Sequence, residues 1–152
     1  MFILKGNLHI YRLFHTKESA YIHTGIFHTL SPSDTEYQSI ADSSNHTSPE
    51  DCGRLLERIY EGTCVSEEAS WEMLELLLQQ EVVNKIPAGL PTGITAANKT
   101  GETQEVQHDA AIVFGEKTDY ILCVMSSELD DSNEAVNLIQ EISSVVYSAL
   151  NE

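Results

Sequence analysis

The spacing of apolar and polar positions changes several times along the chain. From Cys52, apolar residues recur three and four positions apart through Leu55, Leu56, Ile59 and Tyr60, the repeat of one helix face. Ser48 is placed to cap that helix, Pro49 suits its first turn, and Asp51 follows the cap by three residues. Gly62 is placed to end it. A second helix is expected from Ser66, with Glu67 and Glu68 near the positive end of its dipole. Met73, Leu74, Leu76, Leu77 and Leu78 make it broadly apolar, which reads as core rather than as a binding groove. Gln79 and Gln80 lead out, and Pro87, Gly89, Pro91 and Gly93 then forbid helix and mark an irregular connection.

Beyond residue 93 the pattern is that of strands. Ile94–Lys99, Gln107–Phe114 and Tyr120–Ser126 are the candidates, with Ile94 and Ala96 on one face of the first. The loop Gly115–Asp119 is short enough for a hairpin. Tyr120–Ser126 is apolar at almost every position and so expects cover on both faces. Ser132 then caps a long helix whose stripe is Ala135, Leu138, Ile139, Ile142, Val145, Val146 and Ala149. At 1.5 Å per residue it spans on the order of 28 Å, enough to cross the sheet. The expected order is two helices, three antiparallel strands and one covering helix: an α+β domain without internal repeats.

The N-terminal third is less legible. Strand signals at Leu8–Phe14 and Tyr21–Phe27 lack clear turn chemistry, and residues 31–47 have the Ser, Asp, Asn and Thr content of a loop. Charge changes here too. Residues 1–30 carry Lys5, Arg12 and Lys17 against Glu18 alone, together with four of the six histidines. The remainder holds five basic and twenty-three acidic side chains, a shift that places a boundary near residue 30. His9, His15, His23 and His28 lack helical metal-ligand spacing and read as an ordinary polar segment.

Composition narrows the function classes. The 152 residues are 41% hydrophobic, which suits one domain with its own core. A net charge of −16 repels nucleic acid and anionic membrane. No apolar run approaches the length of a membrane span, and the first residues make a poor signal peptide with no small-residue cleavage site. Cys52, Cys64 and Cys123, odd in number and widely spaced, argue against a disulfide framework or a zinc site. No metal or organic cofactor is expected.

The chemistry-bearing tripeptide is Lys99-Thr100-Gly101, at the end of the first strand candidate. Alone it is a weak signal, but its surroundings strengthen it. Lys85-Ile86-Pro87-Ala88-Gly89-Leu90-Pro91 precedes it, Ala97-Asn98 leads into it, and His108-Asp109-Ala110-Ala111-Ile112-Val113 follows. Thr47-Ser48-Pro49-Glu50-Asp51 opens a helix that closes on Leu55-Leu56-Glu57-Arg58-Ile59-Tyr60. From about Asn45 to Leu150 this succession closely resembles the C-terminal part of class A β-lactamases and related penicillin-interacting serine hydrolases. The resemblance implies an α+β fold, with an antiparallel sheet under the C-terminal helix and helices of a helical domain, here incomplete. Residues 31–152 would be the C-terminal part of that domain. Residues 1–30 do not resemble the family's opening helix and strands, and stay unassigned as a divergent or truncated replacement.

The family's substrates, β-lactams and D-alanyl-D-alanine peptides, present a carboxylate beside a reactive amide. By resemblance, Lys99 and Thr100 would bind that carboxylate through charge and a hydroxyl donor. Gly101 would admit a ligand close to the backbone, and the Glu102 backbone N–H would serve as an oxyanion donor. The rest of the family's machinery is missing. None of Lys5, Lys17, Lys85, Lys99 and Lys117 has a serine three positions earlier, so the Ser-x-x-Lys nucleophile motif is absent from these residues. Ser43-Ser44-Asn45 fits a loose Ser-x-Asn pattern but lies just before the Thr-Ser-Pro helix start, and Ser43 reads as loop. Glu36, the only glutamate in residues 31–47, is the candidate general base, yet Glu36-Tyr37-Gln38-Ser39-Ile40 lacks the family's closing asparagine. His108 and Asp109, adjacent on a strand, point to opposite faces and cannot form one site. Two readings follow: a β-lactam-hydrolysing or peptidoglycan-processing serine hydrolase, or a non-catalytic fragment that binds carboxylates. Family members act outside the cytoplasm, while this sequence shows no export signal, so its compartment stays open. An incomplete domain would also leave apolar surface that favours self-association.

Overall fold

The computed structural model describes Asn7–Arg12 as backbone strand, and residues 47–152 in full. Its elements are β1 (Asn7–Arg12), α1 (Pro49–Tyr60), α2 (Glu67–Leu78), a 3-10 turn (Pro87–Gly89), β2 (Thr95–Glu102), β3 (Gln107–Phe114), β4 (Tyr120–Ser127) and α3 (Ser132–Asn151). The strands form one antiparallel sheet in the order β1-β4-β3-β2. The expected three strands are therefore four. β1 pairs with β4 from Asn7 opposite Ser127 to Arg12 opposite Leu122. Local sequence cannot foresee that pairing, because β1 and β4 lie more than a hundred residues apart and a strand's edge partner is a long-range choice. Tyr21–Phe27 and the composition break near residue 30 lie outside the described residues.

The two helical starts form as their caps dictate. The Ser48 hydroxyl accepts from Asp51 N–H at 3.1 Å, and the Ser66 hydroxyl from Ala69 N–H at 3.1 Å. Gly62, at φ 71°, turns the chain out of α1. In α3 the cap is Asp131, whose carboxylate accepts from Asn133 N–H at 2.8 Å. Ser132, expected as that cap, instead donates to the Gln104 carbonyl at 3.0 Å and ties the helix start to the β2–β3 turn.

Both faces of the sheet are covered. β3 and β4 alternate between two clusters, as strands apolar on both sides must. Leu56, Ile59, Cys64 and Leu74 from the α1–α2 side meet Ala97, Ala110, Ile112, Ile121 and Cys123. On the opposite face Ile139 and Tyr147 of α3 meet Ala111, Val113, Leu122 and Val124. Ile142 and Val146 pack at the margin of that cluster as expected. Val145 is 69% exposed, and Ser143 and Asn151 are buried in its stead. The shift has a cause: α3 contacts the 3-10 turn as well as the sheet, so its buried stripe is wider and more polar than an apolar count suggests. In α1 and α2 the apolar surface exceeds what the sheet can cover. Leu55, Tyr60, Trp71, Leu76 and Leu78 are exposed, although Leu55 and Tyr60 were expected on the buried face and Leu76 and Leu78 in the core.

Candidate functional site

β2 is the edge of the sheet, hydrogen-bonded to β3 alone among the described residues. Every second residue of such a strand turns its backbone N–H and C=O outward. Lys99-Thr100-Gly101 lies inside this strand rather than ending it, because pairing continues to Glu102 opposite Gln107. Alternation puts Lys99 and Gly101 on the α1–α2 side, with Ala97, and Thr100 and Glu102 on the α3 side, with Asn98. Lys99 is exposed, and its ammonium donates to the Thr100 carbonyl at 2.6 Å. It is in no ion pair among the described residues. Beside Gly101 stands the His108 ring, and a Cβ there would meet His108 Cδ2 at 3.6 Å, an ordinary contact. Internal packing therefore places no demand for glycine at this position.

Behind the edge lies a buried polar knot that the sequence reading did not single out. The Asp109 carboxylate, 1% exposed, accepts from Ile86 N–H at 2.9 Å and from Asn98 Nδ2 at 3.0 Å. Asn98 also donates to the Val82 carbonyl at 3.3 Å. Burial raises the Asp109 pKa above the usual carboxylate range, against hydrogen bonds from Asn98 and Ile86 and the Lys85 charge, which lower it. Lys85 is fully buried; its Nζ reaches Glu102 Oε2 at 2.9 Å and the His108 carbonyl at 3.3 Å. That contact holds the Glu102 carboxyl below its ordinary pKa. One signal could have found this knot: a carboxylate inside a strand that expects cover on both faces must have buried partners.

His108 and Asp109 do face opposite ways. The His108 Nδ1 accepts from Ser126 N–H at 3.2 Å, so the neutral ring carries its proton on Nε2. Burial lowers its pKa below the ordinary value. Glu36 and Ser43 lie outside the described residues. Two concavities stand apart from the tripeptide. One, of about 210 Å³, lies where the end of α1 meets the β3–β4 hairpin, lined by Glu57, Tyr60, Glu61 and Asp119 among others. The Tyr60 hydroxyl donates to Asp119 there at 2.7 Å. Three carboxylates make it unsuited to an anion. The other, about 510 Å³, runs along the outer side of α3 between Asp131 and Glu141 and is equally acidic.

An antiparallel sheet sandwiched between a C-terminal helix and a helix pair, with Lys-Thr-Gly on its edge strand, defines an α+β domain of the β-lactamase/transpeptidase type. The sequence model of the "Beta-lactamase enzyme family" matches residues 11–150, and the chain belongs to that family. Among solved structures it is similar to PBP-A, at 30% identity and TM-score 0.66, over 70% of this chain and 41% of that one. It is also similar to a β-lactamase from Sphaerobacter thermophilus, at 23% identity and TM-score 0.67, over 72% and 42% of the two chains. For the TLA-3 extended-spectrum β-lactamase the figures are 19% and 0.73, over 85% and 50%. The chain thus spans half or less of the length of these structures. No curated protein matches it.

Proposed function

We propose that these 152 residues form a carboxylate-recognition module of the β-lactamase enzyme family that does not turn over β-lactams by itself. The observation that carries this reading is Lys99: an exposed ammonium on an open strand edge, without a carboxylate partner among the described residues, in a chain of net charge −16. The Glu102 backbone N–H would add a donor, and Gly101, which packing does not require, would let the ligand approach; the Thr100 hydroxyl, on the other face of the strand from Lys99, would reach the same ligand only across the open edge. The ligand class is a β-lactam or a D-alanyl-D-alanine-type peptide; one PBP-A variant structure is an acyl-enzyme complex with penicillin G. Acylation needs a serine activated by an adjacent base, and no Ser-x-x-Lys occurs in the sequence. The exposed Leu55, Trp71, Leu76 and Leu78 favour self-association, which light scattering at increasing concentration measures; a clean monomer throughout contradicts that part.

Intact-mass measurement after incubation with penicillin G, and absorbance with a chromogenic cephalosporin, test turnover; no adduct and no colour change are expected. A mass increase of one penicillin overturns the reading, and mapping it to Ser43 with Glu36 required for its release would make the chain a serine hydrolase. Equilibrium binding of penicillin G should be lost in Lys99→Ala and kept in Lys117→Ala, whose ammonium instead binds the Glu152 carbonyl on the hairpin side. Equal loss in both variants would mean that general charge, not the tripeptide, holds the ligand.

A further inference from the structure

β3 brings one more side chain to the face that carries Lys99. Partners in an antiparallel ladder share a face, so Gly101 and its partner His108 stand on the α1–α2 side with Lys99 and its partner Ala110. Lys99 and His108 are diagonal neighbours, at a separation of roughly 7–8 Å that long and ring side chains span. Both side chains end at Gly101. The Lys99 ammonium lies 2.6 Å from the Thr100 carbonyl, in the peptide unit that joins Thr100 to Gly101. The His108 ring comes, at Cδ2, within 3.6 Å of the place a Gly101 Cβ would take. The ring is also held in one state. Its Nδ1 accepts from Ser126 N–H at 3.2 Å, on the β4 side, which leaves the proton on Nε2. Cδ2 is bonded to Nε2, so the ring edge that meets Gly101 is the edge that carries this N–H. Nε2 makes no hydrogen bond among the described residues, and the ring is only partly buried. Asp109, the neighbouring carboxylate on β3, faces the other way.

We propose that His108 is a second contact of the carboxylate site: its Nε2–H donates to one ligand oxygen while the Lys99 ammonium holds the other, across the bare face of Gly101. The inference rests on the carboxylate-recognition reading above and adds to it the residue that fixes how the carboxylate lies. Lys99 has three donors on a flexible stem, so it can keep the Thr100 carbonyl while holding a ligand, but it supplies charge without direction. A ring pinned through Nδ1 supplies a donor of set direction. A carboxylate has an acceptor oxygen for each, at charge-assisted distances of about 2.8 Å. Burial favours the neutral ring, and the Ser126 contact needs an unprotonated Nδ1, so His108 adds a hydrogen bond and not a second charge.

The test is an NMR titration of the whole chain with penicillin G at neutral pH, with nitrogen-15 in the histidine rings. As the ligand saturates, the His108 Nε2 resonance should move while its Nδ1 resonance, held by Ser126 N–H, stays. His108→Ala should weaken binding about tenfold, the scale of one hydrogen bond to a charged acceptor. Should that variant fail to fold, His108→Phe keeps a ring without the donor and should show the same loss. A merely structural role would weaken binding in the variants and leave the wild-type Nε2 resonance in place. An unmoved Nε2 resonance at saturation therefore overturns the inference, whatever the variants do, and needs no variant to fold. Unchanged affinity in a folded variant also overturns it, because the ring would then only sense a ligand held elsewhere. In both cases the reading of Lys99 stands if Lys99→Ala still abolishes binding. Absence of binding to the wild type overturns both.

Discussion

The two faces of the sheet are held by different physics. Under α1 and α2 the sheet meets mainly apolar side chains, Leu56, Ile59 and Leu74 on Ala97, Ala110, Ile112 and Cys123, and the buried backbone there is confined to Cys64, between the helices, whose N–H and carbonyl are both met by the Ser70 hydroxyl. Burial pushes the Cys123 thiol pKa up, as suits a small apolar neighbour. Under α3 the backbone itself enters the interior. The stretch around Ile86 is wedged between sheet and helix, and its polar groups are met one by one: Ile86 N–H by Asp109, the Ile86 carbonyl by the Ser143 hydroxyl at 2.8 Å. An apolar face tolerates exchange among residues of similar volume. A face that buries backbone depends on named partners, since each stranded donor costs about 1–3 kcal/mol.

The comparison breaks most sharply at Asp109. Asp109→Ala strands both the Ile86 N–H and the Asn98 amide, and should cost about 4 kcal/mol. Cys123→Ala, equally buried on the other face, should cost about 1 kcal/mol. Urea midpoints of the two variants measure the contrast, and equal losses would remove the distinction between the faces.

Gly89 tests how closely that backbone approaches α3. A Cβ there would collide with the Gln140 carbonyl and lie 2.8 Å from Ser143 Cβ. Gly89→Val should therefore force the helix outward at a cost of about 3 kcal/mol. Val145→Ala, on the exposed side of the same helix, should change stability by less than about 0.5 kcal/mol. Thermal unfolding of both variants reads the difference.

His108 provides a pH test. Its pKa is lowered by burial, raised by a backbone hydrogen bond at Gln107, and lowered further by the Lys85 charge, the net result lying below 6.5. The unfolded chain takes up the proton first as pH falls, so the stability present above pH 6.5 is lost on acidification through the native value. His108→Gln should flatten the stability profile on that side; an unaltered slope in denaturation series between neutral and mildly acidic buffers would place the ring in water.

The smallest effect has the opposite sign. Val65, between α1 and α2, holds φ 67° while 89% exposed, a left-handed conformation that a β-branched residue resists. Val65→Gly should stabilise by about 1 kcal/mol, raising the melting temperature by a few degrees.

Much of this was legible beforehand. Helix starts at Ser48 and Ser66 follow from side chains within three residues of the ends they cap, so local sequence suffices for them. The two-sided burial of β4 follows from its nearly continuous apolar run, and the opposite facing of His108 and Asp109 from strand alternation. The Lys-Thr-Gly tripeptide was visible as a motif, as was its place after the Pro- and Gly-rich connection. The sequence by itself thus determined the local elements and the chemical type of the edge strand. Only the tertiary structure decided that β1 closes the far side of the sheet, that Leu76 and Val145 face water while Ser143 and Asn151 do not, and that Lys85 is neutralised by Glu102. Each of those depends on partners more than ten residues away. Residue type states what a side chain requires, a solvent or a partner, but the packing of distant segments determines which one meets it.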